Sequence, residues 1–200
     1  MSGQSITQHY LDDIRASFRA YKKLAEKALA QINDEEYFVT LDAESNSIAV
    51  IMKHMAGNMI SRWTDFLTTD GEKPDRNRDF EFVIEPEATK ASLLGYWEKG
   101  WACLFASLEP LPPEALGRKV FIRGEEHTVV QAINRQMTHY AYHIGQIVFL
   151  AKHFRSNEWK SLSVPKNRSA GFNEYLEKKL QSGEGQHRFD VAAGFVSESE

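Results

Sequence analysis

Apolar residues recur at three- and four-residue steps in four separate stretches, a rhythm that predicts four long helices. Residues 5–32 carry the first stripe: Leu11, Ile14, Phe18, Tyr21, Leu24, Ala25, Ala28 and Ile32, with Lys22, Lys23, Glu26 and Lys27 mostly off it. The segment NDEEYF interrupts that pattern. Residues 46–69 carry the second: Ile48, Met52, Met55, Met59, Trp63 and Phe66. Asn46 or Ser47 can cap this helix, because either side chain accepts from orphan backbone N–H groups. The polar loop TTDGEKPDRNRD follows, where DG is a turn signal and KP biases Lys73 away from helix. A third helix is expected from near Pro86, a residue suited to a first turn, to about Leu108. Residues 118–130, KVFI then RGEE then HTVV, predict a short hairpin or extended connection, and the last helix covers about 128–154. GFNEYLEKKLQS suggests a further short helix before a polar end that should fray.

The predicted fold is therefore all-α: an antiparallel four-helix bundle over residues 1–160, with a hairpin-like insertion before the last helix. Residues 161–200 form a C-terminal extension. A chain of 200 residues can bury roughly two-thirds of its unfolded surface, and 42% apolar with 26% charged residues is ordinary for a soluble globule. The net charge of −4 argues against a nucleic-acid binder driven by phosphate neutralisation. No run of about 18 apolar residues predicts a membrane span, and MSGQSITQHYLDDIRASF lacks the pattern of a signal peptide, so the expected location is the cytoplasm. Cys103 is the single cysteine, against seven histidines. There is thus no disulfide framework or thiolate cluster, and a metal site would have to use imidazole and carboxylate.

His139 and His143 are four apart in QAINRQMTHYAYHIGQIVFLAKHF, so they project one turn apart from one helix face. That spacing lets two imidazoles chelate one ion. At about 100° per residue their line also contains Ala132, Gln146 and Leu150, with Ile133, Met137, Ile144, Ile147 and Ala151 beside it. Asn134, Arg135, Thr138, Gly145 and Lys152 lie opposite. Two imidazoles on or beside a buried face cost several kcal/mol unless paired. The plainer alternative is one buried histidine bonded to a carbonyl and one half-exposed. On the second helix His54 sits beside the apolar stripe, with Asn58, Ser61 and Asp65 on its line. A bundle that turned this edge toward His139 and His143 would assemble three imidazoles and leave a position open for water or substrate, the arrangement of catalytic sites. Imidazole suits zinc, nickel, copper or iron(II) without choosing among them.

With a lone histidine early in the second helix (KHMAGN) and a histidine pair followed by Gly-Gln in the last (THYAYHIGQI), the chain resembles the DinB-like superfamily of metal-binding four-helix bundles over roughly residues 5–154. It is most similar to an uncharacterised subgroup carrying HMAGNMISRWTDFLTTDGEKP. The resemblance implies that His54, His139 and His143 bind a divalent metal such as zinc or nickel, and that two copies pair as a homodimer. It also implies a thiol S-transferase or a metal-dependent isomerase among the characterised relatives.

Asn58 and Arg62 lie one and two turns beyond His54 and could hold an anionic substrate group. Alternatively Arg62 forms a surface pair with Asp65 or Asp70. Gln146 could bond a ligand histidine or metal-bound water, or simply cap a helix crossing. The loop with Lys73, Arg76 and Arg78 beside Asp70, Asp75 and Asp79 is either a lid for an acidic substrate or a solvated turn. His9, His127, His153 and His187 carry no comparable spacing, Cys103 is expected to be a small buried apolar residue, and the Met52/Met55/Met59 stripe reads as core. Tyr142 and Phe149, seven apart on the outer side of the last helix, suggest a homodimer surface. The functional expectation is a metal-dependent thiol S-transferase or hydrolase acting on a small molecule, with a low-molecular-weight thiol as co-substrate in the transferase case. The alternatives are a non-catalytic, metal-stabilised binding bundle and a helical interaction protein without metal. With no carboxylate on the His139/His143 line to act as base, thiol transfer is mildly favoured over hydrolysis.

Overall fold

The computed structural model describes residues 5–182 and 194–195. It contains α1 (Ile6–Leu29), α2 (Ile48–Trp63), α3 (Lys90–Leu108), a hairpin of β1 (Lys119–Ile122) and β2 (Glu125–Thr128), α4 (Val129–Arg155) and α5 (Ser169–Gln181), joined by short 3-10 turns. No helix among the described residues is long and apolar enough to cross a membrane.

Each long helix starts where a hydroxyl satisfies the first free N–H groups. Ser5 accepts from Gln8, Ser47 from Val50, Thr89 from Ser92 and Thr128 from Gln131; the last two are reciprocal capping boxes. The Thr89 box sets the start of α3 at Lys90, four residues beyond the expected Pro86. Helix α2 ends at Trp63, short of the expected residue 69, because Thr64 is extended and Asp65 turns left-handed at φ 48°. Phe66 is nevertheless buried against Trp63, so the apolar stripe outlasts the helix.

Four long helices make the bundle, and contacts along their lengths fix their directions. Tyr10 bonds Asn134 near the starts of α1 and α4, and Gln31 bonds the Lys160 carbonyl just past their ends, so these two run parallel. Ser107 donates to the Trp63 carbonyl at the ends of α3 and α2, and Gly100 lies against Ala56 midway, so this pair is parallel as well. The two pairs are antiparallel to each other. Arg15 near the start of α1 donates to the carbonyls of Leu108, Glu109 and Leu111 at the end of α3, while Trp63 at the end of α2 meets Tyr140 in the first half of α4. Between the pairs Phe18, Trp63, Trp97, Trp101 and Tyr140 are fully buried in edge-on and tilted contacts.

Helices α2 and α3 run the same way, so residues 64–89 must return along the length of the bundle, roughly 28 Å for the 19 residues of α3. They do so as an irregular crossover along α2. The hairpin pins its first part. Arg123 and Gly124 adopt φ 57° and 74°, the backbone of a two-residue primed turn, and donate their N–H groups to the two carboxylate oxygens of Asp70 at 2.8 and 2.7 Å. Gly71 N–H donates to the Phe121 carbonyl at 2.7 Å.

In the extension, Phe195 packs on Phe172 and Tyr175 of α5. The rest of the end expected to fray lies outside the described residues, as does His187. Tyr142 and Phe149 are 55% and 63% exposed, beside Leu41.

Candidate metal centre

Helices α2 and α4 face each other in antiparallel directions, and this brings His54 opposite the His139/His143 pair. His54 and His143 are buried and His139 is half-buried. His54 Nε2 lies 3.4 Å from His139 Nε2, and His143 Nε2 lies 3.1 Å from the same atom. One ligand atom from each of the three falls within 4.8 Å of the others. An ion bound to tetrahedral imidazoles at about 2.0–2.1 Å would separate its ligand nitrogens by roughly 3.3 Å, close to these spacings.

The opposite edges of two rings are anchored. His54 Nδ1 is 2.8 Å from Glu81 Oε2 and His143 Nδ1 is 2.9 Å from Gln146 Oε1. Both partners accept there, so each Nδ1 carries the proton and each Nε2 turns a lone pair toward the centre. Lone pairs facing one another across about 3 Å repel unless a proton or a cation lies between them; the donor set therefore fits a divalent ion. Burial, reinforced by the neighbouring imidazoles, pushes His139 down to about 3. Burial likewise pushes His143 down to about 4, against the bond to Gln146 that favours its charged form. Both are neutral near pH 7, as metal ligands must be.

Glu81 had no signal in the helical pattern, because it arrives on the crossover. It is buried, its carboxylate receiving His54 at one oxygen and Arg76 Nε and Nη2 at 2.7 and 2.9 Å. Burial raises its pKa, but these hydrogen bonds and the Arg76 charge outweigh that and hold it below the ordinary value. It is thus an ionised carboxylate behind the His54 imidazole, an arrangement that fixes the ring and raises its basicity as a ligand.

A cavity of about 250 Å³ opens beside the triad, lined by His54, His139, Asn58, Gln136 and five arginines: Arg62, Arg76, Arg78, Arg123 and Arg135. Asn58 is buried, its Oδ1 accepting the Tyr140 hydroxyl at 3.0 Å. Arg62 is buried and pairs with neither Asp65 nor Asp70. Its Nη1 donates to the Gly71 carbonyl at 2.6 Å and lies 3.3 Å from Glu72. Gln146 faces the other side of His143, toward a groove with Tyr142 and Phe149. The loop after α2 is anchored in part and solvated in part: the Arg76 side chain, only 5% exposed, bonds Glu72 and Glu81, and Lys73 donates to the Asp70 carbonyl, whereas Pro74, Asp75 and Asn77–Asp79 are exposed. Cys103 is half-buried, with Thr64 Oγ1 at 3.4 Å, on the α2–α3 side. His9 and His153 are exposed, and His127 lies 3.1 Å from Arg135.

A helical bundle with a convergent histidine triad between two antiparallel helices is the class that fold and site define. The chain belongs to a family described as a protein of unknown function, DUF1572, which it matches over residues 5–168, from the cap of α1 to the cap of α5. Neither a curated protein nor a solved structure matches it.

Proposed function

We propose that the chain is a divalent-metal-dependent enzyme of the DinB-like kind, holding zinc or nickel on His54, His139 and His143 and acting on a small molecule. The observation that carries this reading is the convergence of three imidazoles whose Nε2 atoms are within reach of one ion, two of them locked from behind by Glu81 and Gln146. A divalent ion held there supplies Lewis acidity that brings the pKa of a bound water or thiol toward neutrality. The chain's own groups do the rest. Glu81 and Gln146 hold the ring tautomers, burial keeps His139 and His143 unprotonated, and the cavity beside His139 admits the substrate.

Thiol transfer suits this site better than hydrolysis. The residues lining the cavity include no carboxylate, and Glu81 is fully engaged with His54 and Arg76, so it is poorly placed to serve as a general base for water. A thiol that ionises beside the ion needs no such base.

The test is metal analysis followed by a thiol-conjugation screen. Near-stoichiometric zinc or nickel in purified protein, lost in His143→Ala while the fold persists by circular dichroism, supports the centre. Wild type that is folded but takes up neither metal overturns it. Bound metal with no turnover across thiols and electrophiles favours the alternative of a non-catalytic binding bundle.

A further inference from the structure

Five guanidinium groups around one 250 Å³ cavity is an unusual concentration in a chain whose net charge is −4. Two buried or half-buried carboxylates answer them. Glu72 meets Arg62, Arg76 and Arg123 at 3.3, 2.9 and 3.2 Å, and Glu81 is bound by Arg76. A third, Glu125, reaches Arg135 at 3.5 Å from the exposed rim. Arg78 lies over the Phe82 ring and makes no ion pair among the described residues. The pocket therefore holds more positive than negative charge before any metal is added, and a divalent ion on the triad would widen the imbalance.

Two buried polar atoms on the same wall lack partners among the described residues: the Nε of Arg62, a residue 93% buried by its 7% exposure, and the Oε1 of Gln136, 3% exposed. Both residues also border a void of about 10 Å³, at the lower limit for one water. A water there can satisfy the two hydrogen-bonding groups. It cannot offset the surplus guanidinium charge.

We propose that this pocket binds the oxyanion of the substrate, a carboxylate or phosphate group, and so selects small anionic molecules whose reacting atom lies only a few bonds from that group. Guanidinium forks match planar and tetrahedral oxyanions. The shared wall of His54 and His139 places the anion directly beside the ligand face of the triad, and the volume falls below the about 300 Å³ of ordinary drug-sized sites, which favours a compact ligand. This assignment rests on the reading of the triad as a metal centre, and the experiment separates the two.

Zinc-loaded and chelator-treated protein are titrated by calorimetry with malonate, with inorganic phosphate and with neutral malonamide as control. The variants are Arg78→Ala and Arg135→Gln, both at exposed positions, and Arg19→Ala, whose partner is Glu109 outside the pocket. At least one anion should bind wild type and malonamide should not. Loss of one guanidinium contact should weaken that anion about tenfold in either pocket variant, and Arg19→Ala should leave it unchanged. Uptake of zinc with no binding of either anion overturns the anion pocket and spares the metal centre. Anion binding by a protein that takes up neither zinc nor nickel does the reverse. Equal binding in all three arginine variants overturns the pocket whatever the metal does.

Discussion

Replacing Gly57 by alanine sets two effects against each other. Glycine in mid-helix costs about 1 kcal/mol relative to alanine, so on α2 alone the substitution should stabilise. The structure opposes this. A Cβ at residue 57 would lie 2.5 Å from Glu81 Oε1, 2.9 Å from Cδ and 3.2 Å from Cγ. A carboxylate at the end of a side chain can usually swing aside, but this one is held at 2.8 Å by His54 and at 2.7 and 2.9 Å by Arg76. Relief of the clash needs a retreat of roughly 0.5–1 Å, enough to stretch those bonds past the useful range. Charge-assisted bonds contribute about 1.5–3 kcal/mol each, so weakening even two of them outweighs the helix gain. We expect net destabilisation of about 1–2 kcal/mol in urea unfolding of chelated protein. Zinc affinity, read by competition with a chromophoric chelator, should fall about 10–100-fold, or 1.4–2.7 kcal/mol, because His54 loses its orienting carboxylate. The Glu81→Ala background removes the obstruction, and there Gly57→Ala should become stabilising by about 1 kcal/mol. If Gly57→Ala stabilises both backgrounds alike and leaves zinc affinity unchanged, the role given to Glu81 is wrong.

Two further outcomes follow from the same geometry. Gly100→Ala would place a Cβ 2.8 Å from the Ala56 Cα, a backbone atom that cannot step aside, so the overpacked α2–α3 contact should cost about 1–3 kcal/mol and exceed the gain in helix propensity; urea melts at least as stable as wild type would refute the close helix approach. Metal-free protein should lose stability as pH falls from 7 toward 4. The unfolded chain protonates His139 and His143 near their ordinary 6.5, whereas the folded chain resists until about 3 and about 4, so the unfolded state binds more protons across that window and stability declines with falling pH. Melts of chelated protein at pH 7, 6 and 5 measure the slope, and an undiminished slope in the His139→Gln, His143→Gln double variant would remove these residues as its cause.

The parts of this molecule that announce themselves in the sequence are those that repeat. Amphipathic stripes mark the four long helices, and RG between two short runs marks the hairpin, because burial on one face and a two-residue turn impose local patterns. His139 and His143 are legible for the same reason, being one turn apart on a periodic helix. The pattern is less informative about where a helix stops: Phe66 keeps the stripe of α2 going although the backbone leaves the helix at Thr64, since an apolar side chain can reach the core from a turn. It is silent about which helices are neighbours, because every stripe of similar width looks alike. In the crossover it misleads. In DFEF, alternation would turn the phenylalanines inward and Glu81 outward, yet Glu81 is buried and Phe80 is 57% exposed. A carboxylate can lie inside there only because Arg76, five residues earlier, and His54, 27 residues earlier, both bond it. Those pairings exist because α2 and α3 run parallel and the connection between them has to travel back past His54. The segment the topology requires for chain closure is thus the one that supplies the orienting carboxylate and two of the pocket's arginines, Arg76 and Arg78. Its Asp70 fastens the turn that carries a third, Arg123.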